Sequence, residues 1–319
     1  MASQPSFEGD LLNFEPEDNP PWRRKGQVVP SVGVMVTDIV GFQEKWNSMK
    51  KNRDACAVQP RQFIENLLHC NREHSCMASA SLGKTRECLA AGREVNNPTL
   101  SSEKRRENAY LEEAYNNLRR GIEAWQRNNY NRWLIEEPML KRANETILKS
   151  ATTRPGCTEP GEYSTRPRYI EFDGELYEYQ NPDNMQIAVV RILEKFNSLF
   201  QETNNPETQN DEHEDKAQRL RKLYNACGWL VFEMLDLHPF GDGNGRLCRL
   251  LCSCVLSTCT PFPTPIYDIW STSCKYDYMK ALVEARKSDT RHPRALVTMI
   301  IECSWYGWKE FLERLQTTT

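Results

Sequence analysis

The pattern of apolar and polar positions predicts a chain that is mostly helical. After residue 100, apolar residues recur every three or four positions, with charged residues between them. That spacing places the apolar side chains on one helix face, where they can pack in a core. Predicted helices span 103–133, 136–149, 183–200, 216–236, 274–287 and 292–315, with one or two more over 57–92. The 216–236 helix is apolar enough to run through the centre of a domain.

One segment instead has the alternation of a β-hairpin. Residues 169–179 alternate apolar and polar side chains on either side of Asp173-Gly174. An Asp-Gly pair in such surroundings is typical of a two-residue type I′ turn. The hairpin is either a surface feature or an edge to which an extended peptide adds as a strand.

The first hundred residues have a different character. Residues 1–28 combine prolines with polar residues and lack a sustained apolar period, which predicts a largely disordered arm. A β-branched run over 28–40 is typical of a strand or of the edge of a buried segment. The predicted organisation is a disordered or irregular arm (1–56), a helical extension (57–102) and a main domain (103–319).

Composition excludes several functional classes. The 41 basic and 44 acidic residues leave a net charge of −3, which gives no electrostatic case for binding nucleic acid or an anionic membrane. No signal-peptide pattern or apolar run of about 18 residues is present, so a cytoplasmic or nuclear protein is expected. The twelve cysteines are expected to be reduced, and those within 248–259 to be small packing residues rather than zinc ligands.

The candidate chemistry is concentrated in twelve residues, His238 to Arg249, which read HPFGDGNGRLCR. Glycines at 243 and 245 can adopt positive φ, so that successive backbone N–H groups converge on an anion. Apolar residues from 247 onward have helical spacing, which places this turn at a helix N-terminus, where phosphate binds favourably. Arg246 and Arg249 lie three apart on the first turn and can both bind phosphoryl oxygens.

Two side chains of this stretch have the properties of catalytic groups. A carboxylate at Asp242, beside a phosphate cradle, suits Mg²⁺, which prefers one or two carboxylates together with substrate phosphates. The imidazole of His238 can act as a general base near neutral pH. Asn244 can either hold a phosphate oxygen or fix the turn. The Rossmann, P-loop and EF-hand glycine patterns are not met.

The stretch matches in full the H-x-F-x-[D/E]-G-N-G-R-x-x-R motif, and the chain therefore resembles the Fic (Fido) family over about 103–315. The resemblance implies an all-α fold with a Fic-type helical core and a single β-hairpin flap, preceded here by a partly disordered arm. It also implies a protein adenylyltransferase that moves AMP from ATP to a Ser, Thr or Tyr hydroxyl of a target protein and releases pyrophosphate. Mg²⁺ is the implied cofactor, and the oligomeric state is not predicted.

The resemblance also assigns roles within the motif. His238 resembles the catalytic base, Phe240 the aromatic anchor of the loop and Asp242 the magnesium ligand. Gly243, Asn244 and Gly245 resemble the anion hole, and Arg246 and Arg249 the phosphate-binding arginines. Tyr278 resembles a residue near the nucleotide base. The flap that positions the target corresponds to Tyr169, Ile170, Glu171, Phe172, Asp173, Gly174, Glu175 and Leu176.

Alternatives stay open at this point. The protein could bind a nucleotide as an interaction module with little or no transfer, or use UTP, GTP or a phosphocholine donor. Many family members carry an inhibitory S/T-x-x-x-E-G/N helix, and no full match exists here. The nearest candidates place Ser79 where glutamate would stand, or lack the final residue at 203–208. Arg249 is therefore expected to have no built-in competitor for the phosphates.

Overall fold

The computed structural model describes residues 10–23, 28–49, 67, 102–127, 133–149, 158–181, 183–204, 216–267 and 273–317. The helices within these ranges are α1 (Val32–Met49), α2 (Ser102–Arg127), α3 (Glu137–Ile147), α4 (Met185–Asn204), α5 (Lys216–Leu237), α6 (Asn244–Leu256), α7 (Lys275–Lys287) and α8 (Arg294–Thr317). The strands are β1 (Tyr169–Phe172) and β2 (Glu175–Glu178). The predicted all-α class with a β-hairpin is confirmed. Most of the helical segment predicted at 57–92 lies outside the described residues.

Helix α5 is the centre of the core, as its apolar composition predicts. Every residue from Leu223 to Leu237 is buried, and the helix packs against α1, α4, α6, α7 and α8. Helix α6 is buried from Leu247 to Leu256 and lies against α2, α3 and α5. Because α5 leads into the motif and α6 begins within it, the loop between them is held at both ends by the core.

Of the two alternatives predicted for 28–40, the strand is wrong and the buried segment is correct, because residues 32–40 belong to helix α1. Val32, Met35, Val36 and Ile39 are all buried on one side of the helix. The β-branched residues therefore have helical spacing as well as β propensity, and packing against α8 and α5 decides between the two. The helix start is held by Asp18, whose Oδ1 accepts a hydrogen bond of 2.7 Å from the Val32 N–H.

The arm predicted to be disordered or irregular over 1–56 is also corrected in its described part. Although the segment before α1 lacks a helical or strand period, Leu11, Leu12, Phe14 and Trp22 are buried in the core. Distant polar groups hold it in place. The Asn225 amide donates to the carbonyls of Leu12 and Phe14, both at 2.8 Å, and the Trp22 indole donates to Glu302 at 2.7 Å.

The β-hairpin forms where the alternation predicts it. Strands β1 and β2 pair antiparallel, with Ile170 opposite Tyr177 and Glu171 opposite Leu176. Asp173 and Gly174 have φ of 52° and 77°, the positive values that a type I′ turn needs. The hairpin extends one pair further, because the Tyr179 N–H donates to the Arg168 carbonyl at 3.0 Å.

Two further expectations concern the cysteines and the membrane. Cys248, Cys252 and Cys254 are buried free thiols on α6, consistent with packing residues. Among the described residues, no cluster of three or more acidic, histidine or cysteine side chains is arranged to hold a metal ion. Likewise, no helix in the described part of the chain has both the length and the apolarity needed to cross a bilayer.

Candidate active site

The motif loop connects the C-terminus of α5 to the N-terminus of α6 through two left-handed residues. His238 follows α5 with φ of 50°, and Gly243 caps α6 with φ of 80°. The Leu247 N–H donates to the Gly243 carbonyl at 2.9 Å and so makes the first bond of α6. The preceding N–H groups of the first turn have no acceptor within the helix, and they form the predicted anion-binding end. Gly245, by contrast, lies within the helix and does not use positive φ.

Asn244 fixes the turn rather than facing a ligand with its side chain. Its Oδ1 accepts from the Phe240 N–H at 3.0 Å, and its Nδ2 donates to the Phe240 carbonyl at 2.8 Å. The side chain is buried, with 2% of its surface exposed. Of the two roles expected from sequence, the structure supports the structural one. Its catalytic or phosphate-binding role stays a prediction, and the Asn244 N–H lies at the helix start, on the cavity.

The opposite side of the loop is anchored by α3 and by the segment before the hairpin. Asn144 donates to the Asp242 carbonyl and accepts from the Gly161 N–H, both at 2.9 Å. The Ser164 N–H donates to the Pro239 carbonyl at 2.8 Å. Phe240 is 1% exposed, and the centroid of its ring lies 5.3 Å from that of the Tyr163 ring. Both observations support its expected role as the aromatic anchor of the loop. The loop is therefore held by two elements outside the motif, α3 and the segment before the hairpin.

His238 lies in a largely buried environment beneath the hairpin. The Tyr179 ring stacks on the imidazole at a centroid distance of 4.0 Å and an interplanar angle of 11°. Burial lowers the pKa of His238 to about 4, and the Arg168 charge acts in the same direction, while the Leu235 carbonyl and Asp242 oppose it. The imidazole is consequently neutral at pH 7, which is the protonation state of a base.

Asp242 and Arg246 form the exposed face of the loop. Their side chains make an ion pair of 3.3 Å, and the Asp242 side chain is 75% exposed. The second carboxylate oxygen accepts from the Gly243 N–H at 2.5 Å. Because an exposed ion pair contributes little to stability, an arriving ligand can replace it at small cost.

Arg249 is buried, in contrast to Arg246. Its guanidinium lies 5.7 Å from the centre of the Tyr267 ring, and a Cβ added to Gly245 would come within 3.1 Å of its Nη1. Glycine at 245 therefore leaves room for the arginine rather than supplying positive φ. Burial alone would lower the pKa of Arg249, but the neighbouring hydroxyls of Tyr267 and Tyr278 raise it overall, so the group stays charged.

These groups converge on one cavity of about 530 Å³. Its floor contains the motif residues His238, Asp242, Gly243, Asn244, Gly245, Arg246 and Arg249. One wall comes from the hairpin side through Ile170, Tyr177 and Tyr179, and an apolar wall from α7 through Tyr278, Met279, Leu282 and Val283. A polyanion would fit the floor, and a flat apolar group would fit the α7 wall.

Comparison with known proteins decides the family. Residues 134–256 match the Fic/DOC family. A Fido domain-containing protein of Dictyostelium discoideum is 34% identical over 99 residues, which cover 29% of this chain and 64% of that protein, less than two thirds of its length. Residues 134–256 therefore form a Fic domain.

Solved structures agree at the level of the fold. A Fic domain containing signaling protein from Bacteroides thetaiotaomicron superposes with a TM-score of 0.54 at 17% identity, covering 89% of this chain and 95% of that one. Fic-1 from C. elegans superposes with a TM-score of 0.58 at 15% identity, covering 90% and 74%. At such identities, the similarity is evidence for the fold alone.

In this Fic domain, the hairpin lies against α7 at the mouth of the cavity. The Tyr276 hydroxyl donates to Asp173 at 2.8 Å, and Lys287 pairs with Glu175 at 2.8 Å. Arg286 donates to the Glu178 carbonyl. Ile170 faces the cavity, whereas Leu176, on the other face, is 71% exposed. The expected flap therefore places one face over the site and the other toward solvent.

Sequence reasoning missed a carboxylate of the Fic domain site. Glu107 of α2 lines the same cavity as Arg246 and Arg249. The sequence offered a partial signal: Glu107-Asn108 supplies the last two residues of the inhibitory pattern, but Glu103 stands where serine or threonine would be. The cavity lining therefore contains a carboxylate that the sequence did not assign, and the expectation that Arg249 has no built-in competitor stays a prediction. Ser79 and residues 205–208 lie outside the described residues.

Three other residues of the site were also missed. Asn144, Arg168 and Tyr179 contact the motif loop from elements distant in sequence, as described above. No spacing rule links them to the motif, because their proximity to it arises only in the folded chain. A polar residue buried in a helix, such as Asn144 at 1% exposure, becomes informative only when its partner is known.

Proposed function

We propose that this Fic domain transfers AMP from ATP to a hydroxyl side chain of a protein. The observation that carries the proposal is the convergence of His238, Asp242, Arg246 and Arg249 on one cavity that also has an apolar patch contributed by α7. The floor suits a triphosphate, and the α7 wall suits a nucleotide base. A donor with no base would leave that wall without contacts.

In the proposed reaction, the target hydroxyl oxygen attacks the α-phosphorus of ATP. A bond forms between that oxygen and phosphorus, and the bond from phosphorus to the bridging oxygen of the β-phosphate breaks, so pyrophosphate leaves. His238 accepts the hydroxyl proton, for which its neutral imidazole is suited. Arg249 and Arg246 offset the charge on the phosphoryl oxygens, and the N–H groups at the start of α6 orient them.

The residues present fit a magnesium ion. The exposed carboxylate of Asp242 lies at the cavity floor beside the phosphate-binding turn, and one carboxylate with substrate phosphates is a coordination that Mg²⁺ prefers. Asp242 would hold the ion together with phosphate oxygens of the nucleotide. When bound, Mg²⁺ supplies positive charge that polarises the phosphoryl group. The Arg246–Asp242 pair would then separate, which frees the guanidinium for phosphate.

The hairpin is proposed to orient the target. A short antiparallel hairpin presents unpaired backbone groups at its edges, to which an extended segment of the target can add as a strand. Ile170 and Tyr177 line the cavity from this hairpin. A target strand aligned there would have its hydroxyl side chain directed toward His238.

The proposal is tested by comparing ATP labelled at the α- or the γ-phosphate, with a cell lysate as the source of acceptor proteins. AMP transfer predicts protein labelling from the α-phosphate alone, together with pyrophosphate release. His238→Ala should reduce labelling about 10²–10⁴-fold while leaving ATP affinity nearly unchanged. Labelling from the γ-phosphate that depends on the added protein, beyond the background of the lysate's own kinases, or equal labelling by the variant, would refute the proposal.

The same assay with GTP, UTP and CDP-choline distinguishes the remaining donors. ATP is expected to give the strongest labelling. ATP binding measured by calorimetry without any labelling would instead support a nucleotide-binding interaction module.

A further inference from the structure

We propose that Arg168 and Tyr179 are positioning residues for His238, through which the base of the hairpin fixes the orientation of the imidazole and shields one of its faces from water. This inference rests on the proposed function in one respect, namely that His238 is the base. Neither residue belongs to the motif. Both lie at the end of the hairpin, where the Tyr179 N–H donates to the Arg168 carbonyl at 3.0 Å.

Tyr179 determines how the imidazole is oriented. The two rings are nearly parallel, 11° apart, at a centroid distance of 4.0 Å, so the phenol ring covers one face of the imidazole and excludes water from it. The backbone of His238 needs this support, because its φ of 50° is unfavourable for a residue with a side chain. The stacked ring therefore acts together with the Leu235 carbonyl to restrain the imidazole.

Arg168 acts on the backbone beneath the histidine. Its Nη2 donates to the Gln180 carbonyl at 2.6 Å and to the Leu237 carbonyl at 3.4 Å. Leu237 is the last residue of α5, so a cation lies at the C-terminal end of that helix, where its dipole favours positive charge. Arg168 thereby ties the hairpin to the residue that immediately precedes His238.

Both residues oppose protonation of the imidazole. Tyr179 contributes to the burial that lowers the pKa of His238, and the charge of Arg168 lowers it further. A lowered pKa means that the imidazole stays neutral, and hence able to accept a proton, until the pH falls toward 4. The charges that act on the pKa of His238 are those of Arg168 and Asp242, and the Leu235 carbonyl acts on it as well, while the charges of Asp236 and Arg286 act on Tyr179.

The test is a direct titration of His238 that needs no catalysis. Full-length protein labelled with ¹⁵N-histidine contains five histidines, and the His238 signal is the one that disappears in His238→Asn. Tyr179→Leu should raise the His238 pKa by about 1 or more, because it opens the imidazole face to water. Tyr179→Phe retains the ring and should leave that pKa close to the wild-type value.

Arg168→Gln has a matched control. It removes one positive charge near His238 and should raise the His238 pKa by about 0.5–1. Arg166→Gln makes the same charge change two residues away at an exposed position, and it should leave the His238 pKa unchanged. Circular dichroism and thermal unfolding establish that each variant is folded before it is titrated.

The rate of AMP transfer gives an independent readout. In Tyr179→Leu, kcat at pH 7 should fall about tenfold or more, and the acid limb of the rate profile should move to higher pH, while KM for ATP is retained. Tyr179→Phe should restore most of kcat. A His238 pKa that is the same in Tyr179→Leu and Tyr179→Phe, or in Arg168→Gln and Arg166→Gln, would overturn the inference. If wild-type protein transfers no AMP but the pKa shifts appear, the proposed function fails and the positioning role stands.

Discussion

The motif loop and the β-hairpin face the same cavity but are stabilised in different ways. The loop is held by buried hydrogen bonds, such as those between the Asn244 side chain and the Phe240 backbone. The hairpin is held against α7 mainly by exposed groups, and Leu176 on its outer face is 71% exposed. Buried polar contacts are costly to break, whereas each exposed ion pair contributes little. The difference indicates a firmly held loop opposite a hairpin that is held more weakly.

The largest effect is expected from Asn244→Ala. This change leaves the N–H and carbonyl of Phe240 buried without partners, which should lower the free energy of unfolding by about 2–5 kcal/mol. Transfer should fall by more than about 100-fold, because the turn that orients the phosphates loosens. Chemical denaturation and the labelling assay measure the two quantities. The exposed Asn47→Ala is the control, and equal behaviour of the two variants would contradict a rigid loop.

A pair of glycine variants compares the two regions directly. Gly243 and Gly174 have φ of 80° and 77°, so alanine is strained at both by about 1–2 kcal/mol. A Cβ at Gly174 meets nothing within 4 Å, whereas a Cβ at Gly243 would lie 2.9 Å from the Asn144 amide. Gly243→Ala should therefore cost more, about 2–4 kcal/mol, and should weaken nucleotide binding. If chemical denaturation gave equal losses of unfolding free energy for the two variants, the close contact between a Cβ at position 243 and Asn144 would be shown to be unimportant.

A smaller effect, of opposite sign, is expected from Glu107→Ala. Glu107 places a carboxylate in the cavity that must accept a triphosphate, so its removal should strengthen ATP binding about 3–10-fold and increase transfer. Calorimetry with ATP measures the first quantity, and the labelling assay measures the second. Glu112→Ala makes the same charge change at an exposed position on the same helix. A similar gain in both variants would assign the effect to net charge rather than to the cavity.

The smallest effect on stability is expected at the hairpin surface. Lys287 and Glu175 form an exposed ion pair, so Lys287→Ala should change the free energy of unfolding by less than about 1 kcal/mol. The same change should raise KM for the protein target a few-fold, because the hairpin is less firmly held, and leave KM for ATP unaltered. Lys280→Ala removes a comparable exposed pair on α7 that does not touch the hairpin. Similar KM values for the protein target in the two variants would show that the ion pair between the hairpin and α7 does not affect target binding.

Much of the fold follows from local pattern. The helical periods from residue 102 onward, the Asp-Gly hairpin and the central position of α5 were all predictable, because each depends on residues close in sequence. The prediction failed before residue 50. There, the β-branched run of α1 satisfies two periodicities at once, and burial of Trp22 and Phe14 depends on partners more than 200 residues away.

The sequence alone determined the chemical content of the site, because the reactive groups lie within twelve consecutive residues and the helix that follows orients them locally. It did not determine which other residues hold those groups in place or add an opposing charge to the cavity. Only the tertiary structure placed Glu107 in the cavity, Tyr179 on His238 and the Asn144 amide on the Asp242 carbonyl. The physical reason is that a motif is encoded by neighbours along the chain, whereas burial, stacking and charge at an active site depend on neighbours in space.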